Sequence, residues 1–158
     1  MEVIDIRDNY EYMKEYVRDN YEYMKEYVRC CYLEWSNKDM EILDYIDYKM
    51  KKINDEDNII SVLGLINDRE LIGFISLFKY DGEEKRDLTP WYATMYVKNR
   101  YREKGYSKIL NEAIQDTARS LGYKKIYLKS NLVNYYEKFE AKYMDKLKNG
   151  ENLYYIDL

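Results

Sequence analysis

Apolar and polar positions change period several times along the chain, and each change marks an element. Met1 to Arg7 alternates, which predicts a short first strand. From Tyr10 the period becomes helical, with Tyr10, Met13, Val17, Tyr21, Met24, Val28, Tyr32 and Trp35 on one stripe. Ser36, followed by Asp39, has the form of an N-cap, and Met40, Leu43, Tyr45, Ile46 and Met50 predict a second helix to about Lys52. Two strands, Ile59–Ile66 and Glu70–Lys79, are expected to form a hairpin around Asn67-Asp68-Arg69. A charged connection, Asp81 to Arg86, leads through Pro90 to a strand at Tyr92–Val97. Ile109, Leu110, Ala113, Ile114, Thr117, Ala118 and Leu121 then return to helical spacing and stop at Gly122. A strand at Lys124–Lys129, a short helix at Leu132–Phe139 and a hairpin of Lys142–Leu147 with Asn152–Asp157 complete the chain. The expected order is β-α-α-β-β-β-α-β-α-β-β in one mixed α/β domain over residues 1–158.

Inside the first helical stripe lies a tandem duplication: Arg7–Val17 is repeated without change as Arg18–Val28. One unchanged copy is not a solenoid, which needs three or more repeats, and it points to a recent or engineered event incidental to activity. Eleven residues make about three helical turns, so the insertion keeps the apolar face in register. A continuous helix longer by about 16 Å is the favoured expectation. The alternative has one copy packing while the other loops out. An apolar stripe of that length leaves a homodimer open.

Composition narrows the chemistry. The 158 residues carry a net charge of −4, with 35% charged residues and no basic stripe, so nucleic acid is not an expected partner. Mean hydropathy is −0.77 and no apolar run has the length of a membrane span, so a cytoplasmic protein is expected. Adjacent Cys30 and Cys31 on a helix read as reduced thiols rather than a staple. The absence of histidine excludes Ser-His-Asp and Cys-His nucleophile systems and histidine-ligated zinc. A general base must then be a carboxylate, tyrosine, lysine or bound water. With 21 tyrosines, no single tyrosine stands out by type alone.

The best candidate site is Arg102-Glu103-Lys104-Gly105-Tyr106-Ser107, between a strand and an amphipathic helix. A helix start offers free N–H groups and the positive end of its dipole, and Gly105 permits a close approach or a positive φ. Arg102, Lys104 and Lys108 add charge, so this is where a phosphate would sit. Neither G-x-x-x-x-G-K-[ST] nor G-x-G-x-x-G occurs.

Arg102-x-x-Gly105-x-Ser107 resembles the acetyl-CoA-binding motif R/Q-x-x-G-x-G/A of the GCN5-related N-acetyltransferases (GNAT), with Ser107 departing from its last position. Asn134-Tyr-Tyr-Glu-Lys-Phe139 resembles the family's Tyr-Glu-Lys segment, with Tyr136 at the catalytic position and Glu140 in place of the usual glycine. Asp87-Leu-Thr-Pro-Trp91 resembles a bacterial subgroup. The element order matches end to end, which implies the GNAT fold: a mostly antiparallel twisted sheet of about seven strands with helices on both faces.

The resemblance implies acetyl transfer from acetyl-CoA to an amine, with no metal. Pyrophosphate would lie on the N–H groups of Glu103, Lys104, Gly105, Tyr106 and Ser107, beside Arg102. Pantetheine would pair with the open strand edge near Tyr96 and Val97, with Asn131 and Ser130 at a looser contact. A backbone N–H near Met95–Val97 would hold the developing oxyanion, and Tyr136 would protonate the departing thiolate. For the acceptor, the acidic balance mildly favours a small cationic amine. Glu34, Trp35 and Asp87 are the residues to examine for it, against plain surface-charge and packing readings. Two rival readings remain: a non-catalytic acyl-CoA-binding or regulatory module of the same fold, favoured by Ser107, Glu140 and the lack of an evident base, and a helical interaction protein built on the duplicated segment.

Overall fold

The computed structural model describes residues 1–7, 16–53 and 57–158. Seven strands form one sheet in the order β1-β2-β3-β4-β5-β7-β6. They are β1 (Glu2–Asp5), β2 (Ile59–Asn67), β3 (Glu70–Phe78), β4 (Trp91–Val97), β5 (Lys125–Ser130), β6 (Lys142–Lys146) and β7 (Asn152–Asp157). Helices α1 (Tyr16–Trp35), α2 (Ile42–Lys52) and α3 (Tyr106–Ser120) complete the frame. Every neighbouring pair is antiparallel except β4–β5.

The sheet is covered on both faces, which is why β2 and β3 read as near-continuous apolar runs rather than alternating ones. On one face Leu110, Ile114 and Ala118 of α3 pack on Leu63, Leu65, Ile72, Ile75, Ile126 and Leu128. On the other, Met24, Tyr27 and Val28 of α1 and Ile53 after α2 pack on Ile59, Val62, Leu71 and Phe74. The β2–β3 hairpin turns on Asp68 and Arg69, both at positive φ (48° and 62°), as a two-residue turn matched to the strand twist requires. Edge strand β6 is exposed along its whole length.

Three expectations change in detail. Ser36 does not cap α2. Its hydroxyl accepts the N–H of Lys38 at 3.0 Å, Lys38 turns to φ 61°, and α2 starts at Ile42 behind Glu41, which makes no side-chain cap. The expected helix at Leu132–Phe139 is a single 3₁₀ turn, Tyr136–Phe139. The buried face of α1 is wider than the expected stripe and shifted at its ends: Met24, Val28 and Tyr32 of the stripe are buried and Asn20, Tyr27 and Cys30 join them, whereas Tyr21 and Trp35 are 38% and 49% exposed. A tyrosine with a wet hydroxyl suits a face boundary as well as a core, so the tyrosine-rich pattern blurs that boundary. The second copy of the duplicated segment ends inside α1. The path of the first copy, on which the choice between extension and loop depends, lies mostly outside the described residues.

Candidate active site

β4 and β5 pair only at Trp91↔Tyr127. Trp91 is fixed there by burial against Leu147 and Leu153 and by its indole N–H, which donates to Leu88 O at 2.9 Å. Beyond that point the parallel strands part, and the edge of β4 from Tyr92 to Val97 faces a gap. Such an edge offers main-chain donors and acceptors to an extended partner.

Within β4 one residue is inserted: Phe74 pairs with Tyr96 but Ser76 with Ala93, which leaves a bulge at Thr94–Met95. Thr94 stands at φ 50°, a left-handed conformation unusual for a β-branched residue. A hydroxyl network holds it. Thr94 Oγ1 donates to Ser76 Oγ at 2.5 Å, and Ser76 Oγ lies 3.1 Å from Tyr27 Oη. Burial pushes the Tyr27 phenol far up, so it stays protonated and is a structural partner rather than a base. The bulge turns the backbone at Met95, in the segment expected to supply the oxyanion donor.

The loop after β4 holds the expected anion-binding residues in an amide nest. Glu103 (φ 62°) and Gly105 (φ 81°) alternate with ordinary residues in a nest, and Gly105 is the N-cap of α3. The N–H groups of Glu103, Lys104, Gly105, Tyr106 and Ser107 have no backbone partner among the described residues. Five consecutive unpaired donors at a helix start are a strong anion site. Arg102 donates from Nε to Val97 O at 2.8 Å and lays its guanidinium over the Tyr96 ring, 5.6 Å from the centroid. Lys104 sits over Tyr101, and Lys108 lies 3.8 Å from Glu112. The far side of the strand end is braced by Lys98, between Glu26 of α1 (2.9 Å) and Glu70 of β3 (3.2 Å).

Across the gap stands Tyr136. Its ring meets Tyr92 of β4 edge-on at 5.8 Å and Tyr135 at 4.9 Å. Its hydroxyl makes no hydrogen bond among the described residues. Burial, with Tyr135 beside it, pushes its pKa up to about 12, so the phenol remains a proton donor at neutral pH. Tyr92 is itself fixed: Asn111 Nδ2 donates to its hydroxyl at 2.7 Å, and the hydroxyl donates to Met95 Sδ at 3.0 Å. Glu140, at φ 68°, takes the left-handed turn that a glycine would take, so the turn after Tyr136 survives the substitution.

The remaining candidates divide. Trp35 meets Tyr96 edge-on at 6.3 Å and lines a cleft of about 270 Å³ under α1 and α2 that reaches Thr94. Glu34, next to it, contributes to the raised pKa of Tyr96 after burial and Cys30. Asp87 is exposed on the loop leading into β4 at Trp91, the end opposite the glycine loop, so it is not gathered with the others. Asn131 is exposed just after β5, and Ser130 Oγ accepts the N–H of Leu132. Cys30 and Cys31 are thiols raised by burial to about 11 and 12, hence unreactive. Among the described residues no group of Cys, Asp and Glu is arranged to hold a metal, and no helix is long and apolar enough to cross a membrane. The sequence reading missed Thr94, Tyr27, Tyr92 and Asn111. It also missed Ser76, although a serine amid the apolar run of β3 was a visible signal.

A splayed parallel pair, a bulged strand and an amide nest at a helix start define an α/β protein suited to an extended ligand with an anionic end. The description Acetyltransferase (GNAT) family matches residues 20–140, and the chain belongs to that family. No curated protein matches the chain by sequence. Among solved structures it is similar to an N-acetyltransferase from Staphylococcus aureus Mu50 (TM-score 0.63, 16% identity, 99% of this chain and 97% of that one). It is also similar to the PaiA N-acetyltransferase from Thermoplasma acidophilum in complex with coenzyme A (0.57, 18%, 100% of both chains). A third is an aminoglycoside 6'-N-acetyltransferase complexed with coenzyme A (0.68, 14%, 99% and 97%). At these identities the likeness shows the fold.

Proposed function

We propose that the protein transfers an acetyl group from acetyl-CoA directly to a primary amine of a small acceptor. The observation that carries this is the run of unpaired N–H groups at Glu103–Ser107, directly following an open β4 edge. Pyrophosphate suits the nest, Arg102 and Lys104, since two of the guanidinium nitrogens of Arg102 are not used on Val97. Pantetheine suits the Tyr96–Val97 edge, with Asn131 at the margin. In that pose the thioester lies at the Thr94–Met95 bulge and the sulfur lies on the Tyr136 side of the gap.

The amine, deprotonated through water or the Glu34 carboxylate, attacks the carbonyl carbon, and the C–O π electrons move to oxygen. A backbone N–H after the bulge stabilises that oxyanion. The C–S bond then breaks, and Tyr136 donates a hydrogen bond to the thiolate. A phenol near pKa 12 is a weaker acid than a thiol near 8.5, so its full ionisation is uphill. In net terms the proton lost by nitrogen appears on sulfur. The test is thiol release from acetyl-CoA across a panel of amines, with acetylated product identified by mass. Saturable CoA binding with no turnover on any amine would instead favour the non-catalytic module.

A further inference from the structure

We infer that Gln115 of α3 is a positioning residue for acetyl transfer, acting through Asn111 and Tyr92 on Met95 at the β4 bulge. The inference rests on the acetyl-transfer reading above. Asn111, Gln115 and Arg119 are spaced four residues apart, so they share one face of α3. From them a chain of hydrogen bonds runs to the bulge. Arg119 Nη2 donates to Gln115 Oε1 at 3.4 Å, and Gln115 Nε2 donates to Asn111 Oδ1 at 2.8 Å. Asn111 Nδ2 donates to the Tyr92 hydroxyl at 2.7 Å, and that hydroxyl donates to Met95 Sδ at 3.0 Å.

The direction of this chain is what gives it a role. A guanidinium can only donate, so Arg119 orients the Gln115 amide, and Gln115 orients that of Asn111. Tyr92 has one proton to give, and the Asn111 carbonyl and the Met95 thioether compete for it. Sulfur is the weaker acceptor. It keeps the proton only because Gln115 holds the Asn111 carbonyl turned away. Burial, with Tyr136 and Tyr135 beside it, raises the Tyr92 pKa well above the ordinary value, so that proton stays in place at neutral pH. Asn111 is buried, so bulk water does not replace a lost partner.

Met95 follows Thr94, whose hydroxyl reaches Tyr27 of α1 through Ser76. Tyr27 packs in the core on the α1 side, whereas Tyr92 and Met95 pack in the core on the α3 side. Consecutive bulge residues are thus fastened toward opposite faces of the sheet. That fixes the peptide planes around Met95, and with them the N–H aimed at the thioester oxygen. Tyr92 also meets the Tyr136 ring edge-on, a contact that Tyr92→Phe would retain.

The test uses the whole protein, carbon-13 in its methionine methyl groups, and acetyl-CoA carrying carbon-13 at the acetyl carbonyl. Gln115 is half-buried, so charged side chains are accommodated there. Gln115→Glu can only accept, and should turn the Asn111 amide over and draw the Tyr92 proton from sulfur. The Met95 methyl resonance should then shift as it does in Tyr92→Phe, and the bound carbonyl resonance should move back toward its free position. The kcat for thiol release across the amine panel should fall about tenfold, with the Kd for CoA unchanged. Gln115→Lys can only donate, and should keep the wild-type signals. A Met95 resonance indifferent to Gln115→Glu, a bound carbonyl that stays in place when Met95 moves, or equal losses in both Gln115 variants overturns the inference and leaves acetyl transfer standing. Saturable acetyl-CoA binding that leaves the wild-type carbonyl resonance undisplaced, with no thiol release, overturns both.

Discussion

Arg102 donates its Nε–H to the carbonyl of Val97 at 2.8 Å, so the first residue of the glycine loop is fastened to the last residue of β4. The amide nest and the open strand edge are therefore held as one surface. Lysine at this position would keep the charge but lose both the Nε–H and the planar stack on Tyr96. Arg102→Lys is expected to weaken CoA binding about tenfold, or about 1.4 kcal/mol. Unchanged affinity by calorimetry would reduce Arg102 to a point charge.

Tyr136 is expected to act only once sulfur begins to leave. Tyr136→Phe should lower kcat about 10²-fold while the Kd for CoA changes little. Because its pKa lies near 12, the ratio of wild-type to variant rates should stay flat from pH 7 to 10. An alkaline fall in the wild-type rate near pH 10, absent in the variant, would show an unperturbed phenol instead.

Gly73 lies where β3 pairs with Val97, and a Cβ there would stand 2.9 Å from the backbone oxygen of Tyr96. That contact cannot be relieved by a rotamer change. Gly73→Ala should cost about 2 kcal/mol, lowering Tm by about 5 °C, and should weaken CoA binding by distorting the strand end. A variant with native Tm and affinity would mean that β4 yields freely.

Glu70 ties β3 to the segment after β4. Hydrogen bonds from Arg100, then Tyr101, with Lys98 beside them, hold its carboxyl near pKa 2, against an ordinary 4.5. A depressed folded pKa gives stability that is present above about pH 4.5 and lost as pH falls toward 2. Glu70→Gln should flatten the loss of stability across that window. The effect should be modest, because the side chain remains partly exposed. An acid-unfolding curve identical to wild type would place the acid sensitivity elsewhere.

What the sequence made legible follows from periodicity. β2, β3, β7 and α3 were placed to within a residue or two because long apolar runs and a Gly122 stop have few alternatives. Gly105 was legible because only a strand before it and a helical period after it give a lone glycine meaning. The bulge was not, since inserting one residue in Trp91–Val97 leaves a strand-like composition unchanged and shows only as a register shift. Ser36 illustrates a local competitor: the same hydroxyl that caps helices also closes a two-residue turn, and nothing in Ser36-Asn-Lys-Asp39 decides between them. The cleft was invisible because Tyr27, Tyr45, Phe78 and Thr94 come from four separate elements. Among 21 tyrosines, two that line a cleft look like the rest.

The most direct test of the central claim is amide NMR of the wild-type protein during a CoA titration. The amide resonances of Glu103 to Ser107 should shift together, more than any other run of residues, and saturate at one equivalent as phosphate oxygens take up the unpaired N–H groups. Saturable binding of CoA that leaves those five amides unmoved would contradict it.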